Sequence, residues 1–463
     1  MLKLLDHLNR FVWGMPALLM IVGVGLYLSF RTGFAQVRLF PRAIRQFLRQ
    51  FKKRKGSEEG SSYRALCTAL AATVGTGNIA GVAGAIVIGG PGAIFWMWMC
   101  AVLGMVTKFA EATLAVRYCR RDTNGELVGG PMYMIEKGMP ASWKWLAVLY
   151  CFFGTIAAFG VGNATQINAV IGSINGAISS FGVSVSNEWD LLAGIAIAVF
   201  VLIVLLGGAK RIGTIAERLV PFAAVGYMLL CIIVLILRRQ ALPGAFSSIV
   251  QGAFSPKAVT GGMIGSAFTA LRIGASRGVF TNEAGMGTAA IAHGSSEVAH
   301  PVFQGLMGII EVFLDTVVIC TLTALVILCS GAEVVYGLDT GVLLTTEAFA
   351  SVLGEWVTVP LVLAVCCFAV ATILGWGYYG IRCTQYLFGE GSWRCYAYLQ
   401  GVVMVVCSAL GTGTVWTLAE TINGLMAIPN LIVLAYLAPE LQRLTCEFRK
   451  KYRFVRKANL TKV

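Results

Sequence analysis

Residues 67 to 90 read CTALAATVGTGNIAGVAGAIVIGG, long enough to cross a bilayer yet interrupted at mid-depth by glycines and one asparagine. The interruption is Gly75-Thr76-Gly77-Asn78. A helix that only sat in lipid would carry Leu and Ile there, because glycine loses the most backbone entropy on ordering and a buried amide without partners is costly. Non-helical backbone at membrane depth survives only where protein surrounds it or where it lines a cavity. Interrupted helices of this kind hold substrate and coupling ion in secondary transporters. The competing explanation is close helix packing, since Gly77 and Gly81 also form a GxxxG pair.

The other residues decide between the two. Of 463 residues, 57% are hydrophobic and 13% charged, which sets the chain far from an ordinary soluble protein. Eleven apolar stretches approach the length of a bilayer span: 11–30, 64–89, 92–118, 145–174, 190–207, 214–237, 258–282, 302–330, 356–382, 394–410 and 413–437. No segment between them could fold as a separate soluble domain, so the expectation is one all-α polytopic membrane domain followed by a basic tail, 438–463.

Net charge is +14, and its location is more telling than its size. Ten Lys or Arg lie between Arg31 and Arg64 and eight follow Leu441, whereas 175–190 and 331–355 hold none. With eleven spans, the excess of positive charge on the inner side puts the N-terminus outside and the C-terminus in the cytoplasm. Arg238 and Arg239 fall on the outer side in this arrangement and count against it. The basic cluster abuts a span, so membrane anchoring and headgroup contact account for it without nucleic acid. The first span lacks a strongly charged leader and a small-residue cleavage site, and reads as a retained helix.

Enzyme chemistry finds little support. Thirteen cysteines are scattered without CxxC spacing, and His7, His293 and His300 have no ligand spacing, so no structural metal is expected. Gly75-x-Gly77-x-x-Ala80 matches a dinucleotide fingerprint, but that motif needs a preceding strand and a soluble parallel sheet. Gly274-Ala275-Ser276-Arg277-Gly278 matches G-x-S-x-G, in a helical pattern with no His and Asp partners.

Setting the first span aside leaves two groups of five, 64–237 and 258–437, and each group opens on a glycine-broken stretch. The second break is Gly261-Gly262-Met263-Ile264-Gly265. Five is an odd offset, so the second group would be inverted in the membrane relative to the first. Interrupted segments at corresponding positions of two halves point to a transport site. Backbone at this second break is free to approach a substrate, and Met263 is the flexible side chain projecting beside it, with Gly265 completing the break.

Polar residues within spans supply the rest. Gln166 is a long amide deep in the fourth, while Thr372 and Trp376 lie four apart in the ninth and so share a helix face. N–H groups at the start of a half-helix suit a substrate carboxylate, and carbonyls with Asn or Gln oxygens suit its ammonium. Sodium takes hard oxygens, which carbonyls and a Thr hydroxyl supply. The alternative is that Gln166 and Thr372 merely bond neighbouring helices. Glu311, Asp315 and Glu420 are intramembrane acids and functional candidates by default. Pairing with Arg272, Arg277 or Lys108 to hold helices together is the competing role, and the expectation keeps these acids outside the substrate site.

GTGNIAGVAGAI, GGPGAIFWMW, GMVTKFAEATLA, GGPMYMIEKG, RGVFTNEAGMGTA, ATILGWGYYG and NGLMAIPNLI, in order over most of the chain, resemble the alanine or glycine:cation symporter family. The resemblance implies eleven spans, the last ten forming the five-plus-five inverted repeat of the leucine-transporter type. It implies import of alanine or glycine with sodium, or sometimes protons, across a bacterial-type inner membrane, with no cofactor and no obligatory protein partner. It places Gly75, Thr76, Gly77, Asn78, Gln166, Thr372 and Trp376 at substrate-site positions, and the carbonyls of Ala72 and Gly75, with Thr372, near sodium. Three residues depart from the family pattern: Met263 stands where Phe is frequent, Ala371 precedes Thr372 where a second Thr is common, and Ile381 follows YYG in place of Glu. A channel or a membrane enzyme is the rival class, but a channel wants a continuous pore and an enzyme a paired nucleophile and base.

Overall fold

A bilayer leaves an apolar chain few options, since every backbone polar group must be satisfied internally, and helices do this within one segment. The structure is a computed structural model that describes residues 15–50, 58–123, 125–180, 182, 187–255, 257, 260, 266–337, 341–408 and 412–460. Each of the eleven apolar stretches holds a helix. Five helices are long and apolar enough to cross a membrane unaided: Gly92–Arg117, Ala141–Ser179, Gly208–Leu237, Pro301–Ser330 and Glu355–Phe388. Two bent pairs, Ser61–Thr73 with Thr76–Gly89 and Thr421–Tyr436 with Ala438–Tyr452, each bend by 58° and raise the number to as many as seven. Among the described residues the one sheet is a short hairpin, Arg120–Arg121 pairing antiparallel with Leu127–Val128.

Gly92–Arg117 packs against both Pro301–Val312 and Ala267–Asn282. The long helix Thr358–Phe388, hereafter the site helix, lies against Lys144–Ala157, Gly208–Leu237 and the first half of the broken helix. Large apolar side chains that find no partner, among them Phe222, Leu229, Ile236, Val359 and Leu363, stay exposed on the outer faces, where lipid would cover them. Phe40–Gln50 has the opposite character: it carries Arg42, Arg45 and Arg49, and Gln50 Nε2 ties its end to Ser62 Oγ at 2.9 Å.

The first break falls where the glycines stand. Helix Glu58–Thr73 stops, a 3₁₀ turn occupies Thr76–Asn78, and Ala80–Gly89 resumes. Asn78 holds the turn together, its Oδ1 accepting from Gly75 N at 2.9 Å while its own N–H donates to Gly75 O at 3.2 Å. The second glycine-rich break, with Met263 and Gly265, lies outside the described residues; beyond it Ser266 Oγ caps Ala267–Asn282 by accepting from Thr269 N at 3.3 Å. Two further irregularities were not legible from periodicity. Ala158–Ala164 and Phe313–Cys320 are π-helical segments inside longer helices, and such segments often accompany functional sites.

Candidate functional site

Four helices converge on the first break, and small residues permit it. A Cβ on Gly375 would stand 2.8 Å from Ala72 N, so the site helix touches the broken helix there almost backbone to backbone. A Cβ on Gly75 would stand 2.5 Å from Thr372 Oγ1, and one on Gly162 would stand 2.4 Å from Trp376 Cβ. Thr76 Oγ1 donates to Gln166 Oε1 at 2.9 Å. The structure thus brings Ala72, Gly75, Thr76, Gln166, Thr372 and Trp376 into one buried cluster. Gln166 lies just beyond the first π segment, which sets Gly162 against the site helix.

Thr372 Oγ1 is buried, faces Gly75, and has no hydrogen-bond partner among the described residues. A threonine in a helix usually returns its hydroxyl to a carbonyl one turn back, as Thr384 does to Gly380 O at 2.8 Å. The helix before the break ends at Thr73, so its last carbonyls run out of N–H donors on their own helix. Thr372 Oγ1 is thus a hard oxygen left without a partner next to the backbone at Gly75.

Asn78 faces elsewhere. Its Nδ2 donates to Asp315 Oδ1 at 2.6 Å and lies 3.3 Å from Cys320 Sγ, so both ends of its amide are engaged within the protein. Asp315, which the sequence reading kept away from the site, is therefore a direct neighbour of the break through Asn78. Its second oxygen accepts from Thr316 Oγ1 at 2.7 Å. Glu311, four residues earlier, takes the helix-holding role: it pairs with Lys108 Nζ at 2.8 Å, and His293 Nε2 lies 2.9 Å from its other oxygen. Glu420 falls in helix Thr412–Tyr436, with its side chain outside the described residues.

Glu283 escaped notice in the sequence. Its Oε1 accepts from Trp376 Nε1 at 2.8 Å and its Oε2 from Thr288 Oγ1 at 2.7 Å, all three residues buried. It sits in the left-handed region at φ 54°, where Ala267–Asn282 ends. The signal available was an acid closing an apolar stretch, TNEAG. The indole N–H of Trp376 is thereby committed to a carboxylate.

A cavity of about 250 Å³ opens beneath the break. Ala65 and Thr68 of the broken helix and Tyr378 and Arg382 of the site helix line it, with Lys210 and, from the hairpin, Glu126. Of its lining residues, Thr68 lies one turn from Ala72 and Tyr378 within two turns of Thr372.

A broken helix braced by small-residue contacts, polar groups gathered at the break and a vestibule below it define a multi-pass membrane transporter. The fold agrees: the crystal structure of MhsT in complex with L-phenylalanine matches with a TM-score of 0.55 at 15% identity, covering 82% of this chain and 97% of that one. The model of the sodium:alanine symporter family matches residues 1–462, and the chain belongs to that family. It is 43% identical to the sodium/alanine symporter AgcS of Methanococcus maripaludis, over 94% of each chain. It is 42% identical to an uncharacterized transporter of Haemophilus influenzae, over 93% of this chain and 92% of that one. Membership makes the protein a transporter and not an enzyme.

Proposed function

We propose that this protein is a sodium-coupled symporter that imports alanine or glycine by alternating access. The observation that carries the reading is the unpartnered Thr372 hydroxyl facing Gly75 at the break, one turn from Trp376 and beside the Thr76–Gln166 bond. Sodium would take that hydroxyl with the carbonyls of Ala72 and Gly75. The substrate would sit on the other side of the turn, its carboxylate at the backbone N–H groups of Thr76 and Gly77 and its ammonium at Gln166, with Trp376 over its side chain. Met263 and Gly265 of the second break would complete the side-chain subsite, and Asn78 would hold the turn in shape from behind.

The ion orders the break and the substrate completes it, so each raises the affinity of the other by the same factor. In this reading the chain has eleven spans: an extra N-terminal helix at 11–30, then an inverted repeat of the leucine-transporter type, 64–237 and 258–437. It lies in a cytoplasmic membrane with the N-terminus outside, and the basic face with the vestibule is cytoplasmic.

Thr372→Val tests the assignment, since it keeps the shape and removes one oxygen. The sodium concentration for half-maximal alanine binding is expected to rise about tenfold or more, while alanine affinity at saturating sodium changes little. Binding measured across a sodium titration decides it, and an unchanged sodium dependence would place the ion on other groups.

A further inference from the structure

The vestibule holds a guanidinium whose bonding is unfinished. Arg382 is buried at 8% exposure and lines the cavity. Its terminal nitrogens reach Asp122 Oδ2 and Glu126 Oε2 of the hairpin only at 3.4 Å each, and Gln385 Oε1 at 3.1 Å. Charge-assisted bonds of this kind are usually about 2.7–2.9 Å, so both carboxylates hold it loosely. Its Nε has no hydrogen-bond partner among the described residues. The Tyr378 ring, 5.2 Å from Cζ, flanks the guanidinium and limits its movement. Nε is fully buried and Tyr378 is a further hydrogen-bond partner, so the fork offered to the cavity is the pair of loosely held terminal nitrogens, which suits an acceptor with two oxygens in a plane, a carboxylate.

We infer that the vestibule is a second binding place for the zwitterionic amino acid, with Arg382 as the anchor for its carboxylate. The inference rests on the proposed function, since it takes the same substrate class onward from the break. The cavity wall also carries Arg64, Arg121 and Lys210, and among them Glu126 and Glu297 are the carboxylates able to meet an ammonium. Glu297 is held at the rim by Arg121 at 2.9 Å and does not compete for Arg382. A simple anion would use Arg382 alone, whereas a zwitterion also meets Glu126 once its contact with Arg382 is released. Arg382 stands on the site helix beyond Trp376. Asp122 and Glu126 occupy the guanidinium between visits, and an arriving carboxylate displaces them.

The test is exchange of labelled alanine in oriented proteoliposomes, with unlabelled alanine varied on one side at a time. Arg382→Gln is expected to raise the half-saturating concentration on the vestibule side about tenfold, and to leave the opposite side unchanged. Arg382→Lys keeps the charge without the fork and should fall between. Asp122→Asn removes a competing acceptor, leaves Glu126 for the ammonium, and should lower the vestibule-side value. If Arg382→Gln and Asp122→Asn both raise that value, Arg382 only braces the hairpin and the inference fails. It also fails if Arg382→Gln shifts neither side, or both sides equally. Should Arg382→Gln not fold, Asp122→Asn decides alone: a lowered value supports the site, an unchanged or raised one overturns it. Absence of any amino-acid exchange by the unmodified protein would instead sink the proposed function, a separate outcome.

Discussion

Lys108→Met is expected to destabilise the protein by about 3–5 kcal/mol, because it strands a buried carboxylate. Lys108 and Glu311 show no exposed side-chain surface and meet at 2.8 Å, joining helix Gly92–Arg117 to Pro301–Val312. Without the ammonium, Glu311 keeps only His293 Nε2 among the described residues, and that ring is held at Nδ1 by Gln304 Nε2 at 2.6 Å. Replacing both partners by apolar groups removes the unpaired charge, so Lys108→Met/Glu311→Leu should recover most of the loss. Thermal unfolding of the purified protein in detergent would show a large fall for the single variant and a small one for the pair. A single variant as stable as the parent would mean that Glu311 sits there protonated and the ion pair does not exist.

Gly375→Ala is expected to lower transport at least tenfold while leaving the protein folded. A methyl group at that position would stand 2.8 Å from Ala72 N and 2.9 Å from Ala72 Cβ, and backbone cannot step aside as a flexible side chain can. Overpacking of this sort costs about 1–3 kcal/mol, and here it is taken from the contact that sets Thr372 against Gly75. Gly226→Ala is the control, since a Cβ there meets nothing within 4 Å. Both variants should elute as the parent does on size exclusion; only Gly375→Ala should lose uptake. Equal activity of the two would show that the spacing between the helices at Ala72 does not govern the site.

The first break was legible because two glycines and an asparagine in an apolar run admit few explanations, and helix Glu58–Thr73 stops where they begin. Gln166, Thr372 and Trp376 stood out as polar or bulky residues deep in spans, and their convergence on the break is a matter of small residues, Gly162 and Gly375, whose partners lie far along the chain. The acids were harder. Four-residue spacing placed Glu311 and Asp315 on one helix face, yet one meets Lys108 and the other Asn78. The helix turns π-helical from Phe313, and the added residue per turn moves Asp315 off the face that regular periodicity assigns. Glu283 was hidden for a related reason: it follows the last helical residue in a left-handed conformation, and a carboxylate at the end of an apolar run looks like the membrane boundary. Partner choice among buried charges depends on contacts across some 200 positions, and nothing local encodes it.

Uptake into proteoliposomes puts the central claim to its most direct test. Purified protein, reconstituted with an inward sodium gradient, is predicted to accumulate labelled alanine or glycine above the external concentration, and to stop accumulating when sodium is equal on both sides or replaced by choline. Uptake that merely equilibrates, or that concentrates substrate equally well without sodium, would contradict the account.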